Sequence, residues 1–197
     1  MNKLFQERGY VEVKELLDIS TVRVISKYLE NKIKRGEWEE CFNPKEVGDS
    51  RYGYYSDPLI EVLLEQSLQS LEEITDLKLE PAYSYARVYQ QGEQLHAHTD
   101  RPACEITASI NIAVVGDVWP IWVQYEDMDP VKILLNPGDA LIYKGCDTTH
   151  WRNKLEEKQI NVQIMLHYVE KNGNHNKYKF DEREGLGYDK NQGIARN

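Results

Sequence analysis

The spacing of apolar residues divides the chain into a part with a helical period and a part with a period of two. In "ISTVRVISKYLENKIKRGEW", Val22, Ile25, Leu29 and Ile33 recur at intervals that put side chains on one face of an α-helix. Ser20 or Thr21 stands where an N-cap is expected. A second helix is predicted over "SDPLIEVLLEQSLQSLEEITD", where Asp57 can cap, Pro58 suits the first turn, and Ile60, Leu64, Leu68 and Leu71 form the stripe. After residue 80 the pattern alternates. The segments "AYSYARVYQ", "EITASINIAVV", "WPIWVQYE", "VKILL", "DALIYKG" and "QINVQIMLHYV" are short, rich in β-branched and aromatic residues, and separated by turn signals such as "NPGD". Antiparallel strands with helices confined to one end predict an α+β fold, a jelly roll backed by N-terminal helices.

No internal repeat or linker breaks the 197 residues, so a single domain is expected: helical support over about 1–80, a β core over about 81–170, and a polar tail, 171–197. The tail has few apolar anchors and is expected to lie extended on the domain or to be partly disordered. A composition of 41% hydrophobic and 29% charged residues is that of a folded globular protein. The formal net charge of −9 argues against nucleic acid or an anionic membrane as partner, since both are gripped by clustered Lys and Arg. No apolar run approaches the roughly 20 residues that span a bilayer, and "MNKLFQERGYVEV" lacks a signal-peptide core, so a cytoplasmic location is expected. Cys41, Cys104 and Cys146 are too widely spaced for a zinc knuckle and odd in number, which predicts reduced thiols.

The densest chemistry lies in "QGEQLHAHTDRPACE". His98 and Asp100 alternate, so on an extended segment they face one spot while Thr99 points away. A metal held from that face needs a third ligand. His150 is the best candidate among His150, His167 and His175, because it follows a turn, a strand and a short loop, "NPGDALIYKGCDTTH", and a jelly roll can return the end of such a strand beside an earlier one. Two histidines and a carboxylate on one face of an iron leave its other positions open, the arrangement of non-haem Fe(II) oxygenases. His96 shares the face but falls outside the His-x-Asp unit, and reads as a neighbouring residue. In "TASINIAV", Thr107, Ser109 and Asn111 form a polar row that is either a solvent face or a ligand pocket. Tyr52, Tyr54, Tyr55, Trp119, Trp122 and Trp151 are either a substrate mouth or packing.

The stretch "ARVYQQGEQLHAHTD" resembles the strand and loop that enter the metal site of the prolyl 4-hydroxylase-like group of 2-oxoglutarate- and Fe(II)-dependent oxygenases. Tyr89 and His98 have that group's spacing, and "LEEITDLKLEPAYSYARVY" and "NPGDALIY" fit it as well. The resemblance covers roughly residues 57–170. It implies a double-stranded β-helix, and Fe(II), 2-oxoglutarate and O2 at a site whose metal ligands are His98, Asp100 and His150. The Tyr89 spacing further leads to the expectation that its hydroxyl reaches the cosubstrate or iron-bound water. The chain departs from the pattern twice. Ile160 stands where a Lys or Arg usually pairs with the far carboxylate of 2-oxoglutarate, and the bulky "GDVWPIWVQYE" replaces a small Gly-Gly-x-Thr turn.

The cosubstrate is a dianion, so a cation is needed in its pocket. Arg152, two residues beyond His150, is expected to face the same way and to grip a carboxylate with two hydrogen bonds. Lys158 and then Arg87 are the alternatives, with Asn111 a further candidate for the cofactor pocket. The expected activity is that of a dioxygenase, a hydroxylase acting on a small molecule or a peptide side chain. The alternative is a cupin-like protein that keeps a metal or small ligand without turnover. A zinc hydrolase is a third choice that lacks a partnered general base. Substrate identity and oligomeric state have no signature here.

Overall fold

A computed structural model describes residues 3–38 and 52–188, so Cys41 and the last nine residues of the chain lie outside the described residues. The first helices are α1 (Lys3–Arg8) and α2 (Ile19–Lys34). The cap of α2 is Asp18, not Ser20 or Thr21: its carboxylate accepts the backbone N–H of both, satisfying donors that a helix start leaves without partners. The helix α3 (Pro58–Thr75) begins as expected, with Asp57 accepting from Leu59 N–H and Pro58 in the first turn. Asp57 also receives Lys32 Nζ at 2.7 Å and the Tyr28 hydroxyl at 2.9 Å, which ties α2 to the start of α3.

Ten strands follow and interleave: β1 (Tyr10–Val13), β2 (Tyr52–Tyr55), β3 (Leu79–Gln90), β4 (Leu95–His98), β5 (Ile106–Val115), β6 (Ile121–Tyr125), β7 (Val131–Ile133), β8 (Ala140–Lys144), β9 (Thr148–Arg152) and β10 (Ile160–Glu170). They form two antiparallel sheets. One has the order β1-β8-β5-β10-β3-β2, the other β4-β9-β6-β7. Ile121, Val123 and Ile133 of the smaller sheet pack against Leu141 and Tyr143 of the larger one, so the two lie face to face.

Three elements differ from the sequence reading. β1 and β2 lie inside the stretch expected to be helical support and extend the larger sheet at both edges. At four residues each, they are too short for alternation to register. His150 sits within strand β9 and not in a loop. The described part of the tail, up to Tyr188, is folded: it includes a 3-10 segment, Asn176–Glu182, and two buried charges hold it. Asp181 takes Arg101 Nη1 and Nη2 at 2.6 and 3.0 Å, and Arg183 reaches Glu61 at 2.6 Å. An apolar-anchor criterion misses a segment fastened by ion pairs.

The faces of the larger sheet explain its alternation. Ala86, Ala108, Ile110, Ile142, Ile164 and Leu166 belong to one core with Ile25 and Leu29 of α2 and Ile60, Leu64 and Leu71 of α3. The helices thus cover the outer face. Residues between them in sequence, including Arg87, Tyr89, Ser109 and Gln163, turn inward to a cavity between the sheets. The polar row of β5 is therefore interior. No helix among the described residues is long and apolar enough to cross a membrane.

Candidate metal centre

His98 and His150 are brought together by strand register. β4 pairs antiparallel with β9, and the two histidines are direct partners across the ladder. The register slips between Leu95 and His98, an irregularity of the kind that re-aims a side chain. Asp100 lies just beyond the end of β4, where its backbone N–H donates to the Gly145 carbonyl at 2.8 Å. Its Oδ1 is 3.5 Å from His98 Nε2 and 3.6 Å from His150 Nε2. One donor atom from each of the three residues falls within 4.8 Å of the others.

The tautomers suit a metal. His98 Nδ1 lies 2.8 Å from the His96 carbonyl and His150 Nδ1 lies 3.0 Å from the Thr148 carbonyl. A carbonyl only accepts, so both Nδ1 atoms carry hydrogen, which leaves Nε2 of each ring as the atom free to ligate, the usual outer-shell arrangement of metal-binding histidine. Burial pushes the His150 imidazole below its ordinary value, which keeps it neutral at pH 7. Burial pushes the Asp100 carboxyl up, but the effects of His150, His98 and His167 outweigh it and hold the group below the usual carboxylate range. Two imidazole nitrogens and one carboxylate oxygen are a donor set for a divalent first-row metal.

The site opens on a cavity of about 280 Å³. Tyr143 forms part of its wall, its hydroxyl 3.4 Å from His150 Nε2. Arg152 is in the cavity wall on the same face of β9 as His150 and is 3% exposed. Its Nη1 donates to the Trp119 carbonyl at 2.6 Å and its guanidinium lies 5.0 Å from the Trp119 ring. Nη2 is buried without a hydrogen-bond partner among the described residues. Burial pushes this guanidinium down to about 10, so it remains a cation at pH 7. Tyr89 is a wall residue too, edge-on to Trp119 at 4.9 Å, and Arg87 Nη1 lies 3.5 Å from its hydroxyl.

Two of the candidate cofactor contacts are corrected. Lys158 is exposed in a turn at φ +61° and is not in the cavity wall. The inward residues of β10 are Gln163, Met165 and His167, so that strand supplies no cation to the cavity. Asn111 is buried but also outside the wall; its Nδ2 donates to the Leu135 carbonyl at 2.5 Å and so anchors the chain before β8. Of the aromatic set, Tyr55 faces the cavity. Tyr54 is core, Trp119 braces Arg152, Tyr52 packs on Trp38, and Trp122 stacks on Trp151 at 6.1 Å. His96 contributes only its carbonyl.

Sequence reasoning missed Tyr83, Tyr143, Gln163 and Gly145. The first three sit on the inward positions of alternating strands, a signal that was legible as a face but not as a cavity. A Cβ on Gly145 would collide with the Cys104 carbonyl and lie 2.7 Å from Asp100 Oδ2. Gly145→Ala is therefore expected to displace the Asp100 loop, weakening Mn(II) binding in a titration at least tenfold while costing about 1–3 kcal/mol of stability from overpacking. Parental metal affinity in that variant would show that the loop tolerates the crowding.

No family model and no curated protein sequence matches the chain. Solved structures do match its fold. A Pseudomonas putida prolyl-4-hydroxylase aligns with a TM-score of 0.69 over 85% of this chain and 96% of its own, at 12% identity. A Trichoplax adhaerens prolyl hydroxylase, solved with a hypoxia inducible factor oxygen degradation domain peptide fragment, gives 0.69 over 86% and 87%, at 13% identity. The epimerase SnoN, in complex with Fe3+, alpha ketoglutarate and nogalamycin RO, gives 0.68 over 95% and 90%, at 14% identity. The chain thus has the double-stranded β-helix fold of the 2-oxoglutarate- and Fe(II)-dependent oxygenases.

Proposed function

We propose that the protein is a 2-oxoglutarate- and Fe(II)-dependent dioxygenase, a hydroxylase that couples decarboxylation of 2-oxoglutarate to oxidation of an unactivated C–H bond. One observation carries this reading. The Nε2 atoms of two histidines and Asp100 Oδ1 converge beside a cavity in which a buried arginine has an Nη2 without a hydrogen-bond partner among the described residues. A buried donor of that kind is costly unless a ligand supplies the acceptor.

When bound, iron, 2-oxoglutarate and O2 supply the oxidising power, with succinate and carbon dioxide as by-products. The chain supplies the rest. His98, Asp100 and His150 would hold the metal from one side. Arg152 would receive the far carboxylate of 2-oxoglutarate, with Trp119 fixing the guanidinium from its carbonyl and its ring. The two departures from the oxygenase pattern then complement each other, since the bulky residue in the unusual loop braces the arginine that replaces the absent one. The Tyr89 hydroxyl is placed to orient the cosubstrate, with Arg87 beside it. The aromatic side chains of Tyr55, Tyr83 and Tyr85 line the remaining space.

A cavity of about 280 Å³ is just below the roughly 300–1,000 Å³ of ligand pockets and would hold the cosubstrate as well, so a small molecule or a single side chain of a peptide is the substrate class. A buried arginine in the cavity wall favours this reading over a metal-keeping protein without turnover, which has no need of a cation for a dianionic cosubstrate. A cytoplasmic location is part of the reading and accords with free Cys104 and Cys146. Anaerobic addition of Fe(II) and 2-oxoglutarate is expected to produce the visible charge-transfer band of the chelate. Its absence at saturating cosubstrate would overturn the oxygenase reading.

A further inference from the structure

Asp100 uses its two carboxylate oxygens differently. Oδ1 faces the two histidine nitrogens, while Oδ2 lies 3.3 Å from the Thr107 hydroxyl. That hydroxyl is also 3.2 Å from the Cys104 carbonyl and 3.0 Å from His167 Nδ1. Both Thr107 and His167 are buried, and they are direct partners across the β5–β10 ladder, so the contact is set by sheet register. On its other side β10 pairs with β3, where His167 is opposite Tyr83 and stacks on its ring at 4.4 Å.

The protons in this group follow from its acceptors. Around Thr107 Oγ1 lie a carboxylate oxygen and a carbonyl oxygen, neither of which can donate. If the threonine hydrogen went to His167, both oxygens would face a bare hydroxyl lone pair. With the His167 ring protonated on Nδ1 and donating to Oγ1, the single threonine hydrogen is left for the two oxygens, of which the charged Asp100 Oδ2 is the stronger acceptor. A directed chain results: His167 Nδ1–H to Thr107 Oγ1, and Thr107 Oγ1–H to Asp100 Oδ2.

We propose that His167 and Thr107 are positioning residues that hold Asp100 Oδ2 away from the metal, so that Asp100 ligates through Oδ1 alone. The inference rests on the metal site proposed above. A carboxylate without such a partner can rotate and offer both oxygens, occupying a position that the cosubstrate needs. Neither residue touches the metal donors of His98 or His150; each acts through Asp100. The same neighbourhood brings Asp100, Cys104 and His167 close enough for a second metal site. It is read here as a proton-bearing shell because Cys104 Sγ is engaged with the Tyr83 hydroxyl at 3.0 Å, burial pushes that thiol well up, and Oδ2 is already held.

The test is a titration of the metal-free full chain with Mn(II), following the free ion by electron paramagnetic resonance. Loss of an outer-shell partner typically weakens metal binding 10–100-fold. Thr107→Val, which keeps the shape and removes the hydroxyl, is expected to weaken Mn(II) by about that factor, and Thr107→Ser to restore it. His167→Phe keeps the stack on Tyr83 and is expected to weaken binding, whereas His167→Asn, whose amide N–H can stand in for Nδ1–H, is expected to recover most of it. Because both act along one chain, the double variant Thr107→Val/His167→Phe should bind no more weakly than the worse single one. Should Thr107→Val fail to fold, the His167 pair decides alone. Mn(II) binding by the parental protein with equal affinity in the Val and Ser variants, or in the Phe and Asn variants, would overturn the relay alone. Failure of the parental protein to bind Mn(II) would overturn the metal site and the relay with it.

Discussion

Replacing His150 by alanine is expected to abolish metal binding and, with it, 2-oxoglutarate-dependent succinate formation. The side chain is 4% exposed and packed between the His98 ring at 4.3 Å and the Tyr143 ring at 4.7 Å, so its removal leaves a buried gap beside the site. His167, the nearest other buried imidazole, is committed to Thr107 through Nδ1 and stacked on Tyr83. With two ligands left, affinity should fall by more than the 10–100-fold typical of losing an outer-shell partner. Metal analysis of the purified variant after dialysis is the measurement. Wild-type content would remove His150 from the ligand set.

Replacing Arg152 by alanine is expected to weaken 2-oxoglutarate binding by more than a hundredfold while Mn(II) affinity without cosubstrate changes little. Breaking a buried charge pair by removing one partner costs roughly 3–5 kcal/mol, and every 1.4 kcal/mol is about tenfold in affinity. Arg152→Lys should recover only part, since an ammonium cannot reproduce both the contact to the Trp119 carbonyl and a forked grip on a carboxylate. Lys158→Ala, at an exposed turn, should be neutral. The readout is the 2-oxoglutarate concentration dependence of the anaerobic charge-transfer band. If Arg87→Ala shows the large loss and Arg152→Ala does not, the far carboxylate belongs at Arg87.

Much of the fold was legible because long alternating strands and amphipathic helices report their own periods. The stripe of α3 and its cap at Asp57 came directly from residue spacing, as did the alternation of β3, β5 and β10. The short edge strands β1 and β2 carried too few residues to show a period. The tail eluded a search for apolar anchors because Asp181 and Arg183 fasten it through Arg101 and Glu61. In the site, His98 and Asp100 were readable as a pair since they are neighbours in sequence. Arg152 was readable from its distance to His150 along one strand. Lys158 and Asn111 were misjudged for a common reason: nearness in sequence to a wall residue does not say which way a turn or the end of a polar row faces.

The sequence by itself determined which side chains share a face, because the periods of helix and strand are local properties of the backbone. It could not determine what each face meets. On β5, Thr107, Ser109 and Asn111 alternate with Ile106, Ile110 and Ile112 in the way of a strand with one wet side, and here the helices cover the apolar side while the polar side looks into the protein. Tertiary structure alone decided that Ser109 lines the cavity, that Thr107 meets Asp100, and that Asn111 anchors a loop. It also set His150 opposite His98 through the pairing of β4 with β9. Those assignments depend on which strands pair and in what register, a choice made by contacts between residues far apart in the chain and not by the local pattern of either one.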